Sequence, residues 1–209
     1  MSAATEERLA RGEGGKLRNR ILDAADALLD ATGDVTAVSM SKIAKAVKRT
    51  EPTIYVHFAD KASLIEAVCE RTFERLGAAT DVAIAGLDDP WARLDIRARS
   101  YVGFAQGHPE HYRLLFSTIR RSGDDRDELD RLTSYAGFEG LRADVAACIE
   151  IGAMTQADPN LVALSMWSSI HGITSLLVTH PAANWPPELL DQMLYTMATG
   201  LLPREEAQR

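Results

Sequence analysis

Between Ser39 and Lys61 the chain reads SMSKIAKAVKRTEPTIYVHFADK, a run of hydroxyls, cations and one phenol at spacings suited to the phosphates of a nucleic acid. Lys and Arg neutralise phosphates, while Ser, Thr and Tyr hydroxyls hydrogen-bond to their oxygens. Glu51 can accept from cytosine N4 or sit as an acid at a helix start, and Thr53 can offer a hydroxyl or a methyl to thymine. Two further groups bear functional side chains. Trp167 and His171 stand four residues apart, on one face of any helix that contains them. His108 and His111, with Glu110 between them, have a metal-like spacing but no third donor nearby, and HPEHY suits a helix start better. No Gly-rich phosphate loop or nucleophile elbow occurs, so no catalytic residue, metal or cofactor is expected and the chain does not read as an enzyme.

These residues need rigid elements to present them. Met40, Ile43, Ala44 and Val47 recur at helical spacing, which predicts a short helix buried on one side with Ser41, Lys42 and Lys45 outside. Thr50 is expected to cap a second helix with its hydroxyl, and Pro52 is tolerated in that helix's first turn, where its missing N–H removes no bond. Thr53, Tyr55 and His57 follow on it. Two short helices around a tight turn make a helix-turn-helix.

This stretch resembles the tetracycline-repressor (TetR) family of bacterial transcription regulators, whose pattern is similar to I-A-x-x-A-G-V-S-x-x-T-[LI]-Y-x-H-F-x-x-K. Here the matching residues are Ile43, Ala44, Val47, Thr50, Thr53, Ile54, Tyr55, His57, Phe58 and Lys61. The turn departs from the pattern, with Lys48 where the family has Gly and Arg49 where it has a small apolar residue. A Lys held in the left-handed region costs roughly 1 kcal/mol relative to Gly. The resemblance implies that Ser41, Pro52 and Thr53 approach bases and that Ser39, Thr50, Tyr55, His57 and Lys61 hold the phosphate backbone. Lys48 and Arg49 join them as a local basic patch.

Charge distribution supports that expectation on a chain whose net charge is -7. Residues 1–61 hold ten Lys or Arg against nine Asp or Glu, while residues 62–209 hold thirteen against twenty-one, and all five lysines fall in the first part. The excess acid therefore lies away from the motif.

Residues 1–15, polar and without periodicity, are expected to form a mobile arm; residues 16–61 to form a DNA-binding domain; and residues 62–209 to form a larger helical domain. Apolar stripes recur at helical spacing throughout, so the chain reads as all-α with nine or ten helices. Asp60 is expected to cap the helix after the motif, and Asp158-Pro159 to open another. The longest apolar runs, such as 173–178, fall short of the roughly 20 residues a bilayer span needs, and the N-terminus lacks the apolar centre of a secretory signal, which predicts a cytoplasmic protein. Cys69 and Cys148 sit within apolar stripes and read as small buried hydrophobes.

Trp167-x-x-x-His171-Gly172 resembles a pattern that marks a subclass of TetR C-terminal domains, in which Gly172 is expected to let another helix approach. By the family arrangement, Tyr101, Phe104, His108, Tyr112, Phe116, Tyr135, Phe138, Met166, Trp167 and His171 line a cavity for a small apolar effector. The stretch 161–178 is apolar on most of its circumference and should be buried on two sides, and Leu190, Met193, Leu194, Met197 and Leu201 give the last helix a continuous stripe. Together they predict a homodimer through the last two helices, with its two reading units on a palindromic duplex operator. The function implied is a repressor released by a small-molecule effector; the alternative is a helical dimer that binds a small molecule or protein without operator DNA.

Overall fold

The computed structural model describes residues 3–118, 136–155 and 158–201. Among them lie nine α-helices and no strand: α1 (Ala3–Thr32), α2 (Met40–Ala46), α3 (Glu51–Tyr55), α4 (Lys61–Ile84), α5 (Pro90–Gly107), α6 (Pro109–Thr118), α7 (Ala136–Glu150), α8 (Pro159–Thr179) and α9 (Leu189–Leu201). The chain divides into two compact units, one of Met1–Thr72 with Glu110–Arg121 and the other of Phe73–Pro109 with Ser122–Arg209.

In the first unit α1 begins at Ala3, well inside the stretch expected as an arm without regular structure. Ala, Glu, Leu and Arg dominate residues 3–11, and all four are strong helix formers, a local preference that needs no apolar period. Ile21, Leu22, Ala25 and Leu29 of α1 are all but fully buried, as are Ile43, Ala44 and Val47 of the α2 stretch, Ile54 of α3, and Leu64 and Val68 of α4. Gly33 ends α1 in the left-handed region (φ +59) and returns its N–H to the Leu29 carbonyl at 2.8 Å. On α4, Arg71 reaches Asp23 at 2.8 Å and Asp26 at 3.5 Å, and the buried His111 of α6 places Nε2 2.7 Å from Asp26 Oδ1. One carboxylate of α1 thus ties down two other helices.

The second unit is built on α5, α7 and α8. Asp89 caps α5 and Asp158 caps α8, each with Pro in the first turn. Leu94, Val145, Cys148, Met154, Val162, Ala163 and Met166 form one core, against which Phe138, Leu141 and Ile149 pack. Asp144 of α7 is buried between two guanidinium groups, 2.6 Å from Arg93 Nε and 2.6 Å from Arg97 Nε.

Within one chain the last two helices are partly used. Leu190, Met193, Leu194 and Met197 of α9 pack on Ala98, Val102 and Ile170 within the same chain, so much of that stripe is used internally. Helix α8 buries Val162, Met166, Ile170, Ile173, Thr174 and Val178 but leaves Leu161 and Leu176 exposed, so burial on two sides is not met within one chain. Pro159–Thr179 also reaches the length and apolarity of a bilayer span, with a mean hydropathy of 1.5 over its best window. No single run showed this, because serines interrupt it. Ser165, Ser168 and Ser169 each donate to the carbonyl four residues back, which satisfies their hydroxyls within the helix.

Candidate nucleic-acid interface

A 3-10 turn, Val35–Ala37, leads into the motif, capped by Asp34, whose carboxylate accepts from the Thr36 N–H at 2.7 Å. The Thr36 hydroxyl and N–H hold the Asp34 carboxyl below its usual range, helped by Lys61 and Lys42. Both of these lysines are engaged with this turn: Lys42 Nζ donates to the Ala37 carbonyl at 2.8 Å and Lys61 Nζ to the Val35 carbonyl at 2.5 Å. Ser39 is the N-cap of α2, its hydroxyl accepting from the Lys42 N–H at 3.3 Å. Ser39 and Lys61, expected at phosphates, thus have structural partners that fix the entry of α2.

The turn itself keeps helix-turn-helix geometry in spite of its unusual residues. Lys48 takes φ +55, the left-handed conformation that Gly would adopt there, and Arg49 N–H returns to the Ala44 carbonyl at 2.9 Å. Arg20 of α1 donates to the Val47 carbonyl at 2.9 Å and braces the turn from behind, a role that the sequence pattern gave no sign of. Thr50 begins α3, but without the expected side-chain cap. Its hydroxyl instead pairs with the Thr53 hydroxyl at 3.0 Å, one turn on.

Helix α3 buries Ile54 completely, and Phe58 beyond it is 4% exposed beneath the Arg18 guanidinium. Its other side is open. Glu51, Pro52 and Tyr55 are exposed, Thr53 is half-buried, and Ser41, Lys45, Lys48, Arg49 and Thr50 are exposed around them. Val56, overlooked in the sequence, is 80% exposed, a degree of exposure that its apolar type does not announce. His57 turns the other way, lining a cleft of about 370 Å³ with Arg18, Glu66 and Glu70. What remains for a phosphate-lined groove is one face: cations at the turn, hydroxyls at the start of α3, then an aromatic and two apolar side chains.

The second unit holds a separate aromatic cluster. Phe73 of α4 lies with its ring centroid 5.1 Å from Phe104 and 6.3 Å from Tyr101, and the Phe104 and His108 rings lie tilted to each other at 5.0 Å. Tyr101 Oη is 3.2 Å from His171 Nδ1, and the Trp167 and His171 rings stack at 5.4 Å. Burial lowers the pKa of His171. Five of the ten expected cavity residues therefore gather, joined by Phe73, which reads as ordinary stripe in the sequence. Phe138 and Met166 belong instead to the core around Leu94. Tyr112 and Phe116 lie in the first unit, their rings 5.0 Å apart, and Tyr135 lies outside the described residues. Gly172 is exposed, with no heavy atom within 4 Å of where a Cβ would stand, so among the described residues no other helix closes on it.

A three-helix reader whose motif is held by a left-handed turn, followed by a larger helical unit, defines a helix-turn-helix DNA-binding regulator. Residues 21–68 match the model of bacterial regulatory proteins of the tetR family, and residues 94–201, just over half of the chain, match that of the tetracyclin repressor-like C-terminal domain. The chain belongs to the TetR family of transcription regulators. A Rhodococcus protein of unknown function is similar over 90% of this chain and 96% of its own, at 25% identity and a TM-score of 0.74. The fold is shared with RolR bound to resorcinol (21% identity, TM-score 0.66, 94% and 93% covered) and with FadR from Bacillus subtilis bound to stearoyl-CoA (16%, 0.69, 87% and 98%).

Proposed function

We propose that this regulator is a cytoplasmic repressor, bound as a homodimer to a palindromic operator and released by a small-molecule effector. The observation that carries the DNA-reading half is the open face of α3, flanked by Lys48 and Arg49, on a motif whose other face is wholly buried. Residues 16–61 would be the reader and residues 62–209 the effector and dimer region. Ser41, Thr53 and Pro52 approach bases in this reading, while Thr50, Tyr55, Lys48 and Arg49 hold phosphates.

Leu161, Leu176 and the 66% exposed Tyr195 on the last two helices supply apolar surface for a symmetric partner. The Tyr101–His171 pair beside stacked rings suits a small aromatic or apolar effector with one polar group. RolR's resorcinol is a small aromatic with two hydroxyls, which supports an aromatic effector by analogy alone. Release follows only where the effector prefers a conformer with the wrong reader spacing, since a ligand shifts an equilibrium by its differential affinity. No catalytic step is needed for any of this.

The test is selection of genomic fragments with purified protein, followed by affinity measurement against salt and competitor DNA. Tyr55→Phe should weaken binding to all duplexes alike, and Thr53→Ala should change sequence preference. Binding without sequence selectivity, or no change in either variant, would overturn the assignment.

A further inference from the structure

The side of α3 that carries Pro52, Thr53 and Val56 offers little hydrogen bonding, in contrast to the exposed Glu51 and Tyr55 beside it. Pro52, Thr53 and Val56 stand at i, i+1 and i+4, so they share one side of the helix, and the Val56 N–H closes the turn onto the Pro52 carbonyl at 3.3 Å. Pro52 brings only methylenes. The Thr53 hydroxyl is 3.0 Å from the Thr50 hydroxyl, a bond made within the protein, which leaves its methyl as the group not so engaged. Val56 contributes two methyls at 80% exposure, while the rest of this helix's apolar content, Ile54, is fully buried. Val56 adjoins the exposed Pro52, so the apolar surface here is a small contiguous patch and not a single scattered side chain. Around this stripe stand Lys45, Lys48 and Arg49, all exposed, which match the phosphate rims of a groove and not an apolar protein partner.

We infer that the reader recognises its operator chiefly through thymine methyl groups in the major groove, with Val56, Pro52 and the Thr53 methyl as the apolar contact surface. The inference rests on the DNA-reading function proposed above and names the base chemistry of that site. The C5 methyl is the one apolar feature on the major-groove edge of a base pair, and it separates T·A from every other pair without a hydrogen bond. Selectivity of this kind is blind to donor and acceptor positions and sensitive to one carbon.

Deoxyuridine keeps every Watson–Crick bond and every phosphate of thymidine and lacks only that methyl. Using the operator found by fragment selection, each dT of a half-site is replaced in turn by dU and affinity is measured for the full-length protein. Expected is a loss of roughly fourfold per contacted methyl, at two or three adjacent positions in each half-site. Val56→Ala should bind the all-dT operator more weakly, yet lose less than the wild type on dU substitution at one of those positions, with an unchanged salt slope. Equal affinity for dT and dU operators, with sequence selectivity intact, overturns the methyl reading and leaves the DNA-binding function standing. Failure to select any operator overturns both. Val56→Thr, nearly the same shape with one methyl exchanged for a hydroxyl, guards against loss of fold and should retain part of the dU discrimination.

Discussion

Arg97 lies across the position where a side chain at Gly140 would begin: a Cβ there would stand 2.6 Å from the guanidinium carbon. The same guanidinium donates from Nε to Asp144 Oδ2 at 2.6 Å, so the missing side chain of α7 makes room for a buried ion pair between α5 and α7.

Gly140→Ala should therefore act through Asp144 more than through sterics. Arg97 is flexible and can swing aside, but doing so removes one of the two cations that compensate a carboxylate only 5% exposed. Helix propensity favours Ala by ~1 kcal/mol, and the broken pair opposes it with ~3–5 kcal/mol. Net destabilisation of about 2 kcal/mol or more is expected, read as a lower urea midpoint, and Asp144→Ala should lose at least as much. A Gly140→Ala protein as stable as the wild type would show that the Arg93–Asp144 pair suffices.

Lys48→Gly separates stability from DNA binding. Lys48 is the one non-glycine residue at positive φ among those described, so Gly relieves roughly 1 kcal/mol of backbone strain, and the urea midpoint should rise. If Lys48 meets a phosphate, the same change should lower operator affinity and reduce the slope of log K against log salt by about one. A rise in stability with an unchanged salt slope would place Lys48 outside the DNA contact.

How far these features were legible in the sequence depends on how local their causes are. The caps at Asp60 and Asp158 follow from residue types a few positions apart, and both are in place. The Thr50 hydroxyl also had a suitable neighbour in Thr53, but sequence could not tell a cap from a hydroxyl pair, since the two differ by a side-chain rotation. Phe73 and Phe138 show the same limit at longer range. Both lie on apolar stripes, and only the packing of whole helices decides that Phe73 joins Tyr101 and Phe104 while Phe138 faces Leu94. Val56 escaped notice because exposure is a property of the fold and not of the residue type.

His171 should make stability depend on pH in a defined window. Burial lowers its pKa from the ordinary 6.5, so the folded chain prefers the neutral imidazole. Below about 6.5 the unfolded chain takes up a proton that the folded chain refuses, and the folded state is destabilised as pH falls from there to the lowered value. Further acidification adds nothing from this group. Chemical denaturation between pH 7.5 and 5 should show a steeper decline for the wild type than for His171→Gln, and parallel curves would contradict the burial of this imidazole.

The two cysteines should report opening of their own units. Burial pushes the Cys69 thiol up to about 12, with Asp26, Glu70 and Glu66 adding to it, and pushes Cys148 up to about 11. A thiolate is the nucleophile in alkylation, and an inaccessible, un-ionised thiol reacts only after the surrounding helices separate. At pH 8, iodoacetamide should label each cysteine slowly, with a rate that rises with urea in step with loss of helicity. The same shift has a linkage consequence. Unfolded thiols ionise near 9.0, so the stability that burial lends the protonated form is intact below pH 9 and is lost as pH rises toward 12. Cys69→Ala should flatten that alkaline decline, although it also leaves a small cavity whose penalty is independent of pH. Rapid labelling of Cys69 in native buffer, resolved by peptide mass, would instead mean that the core joining α1 to α4 opens readily at room temperature.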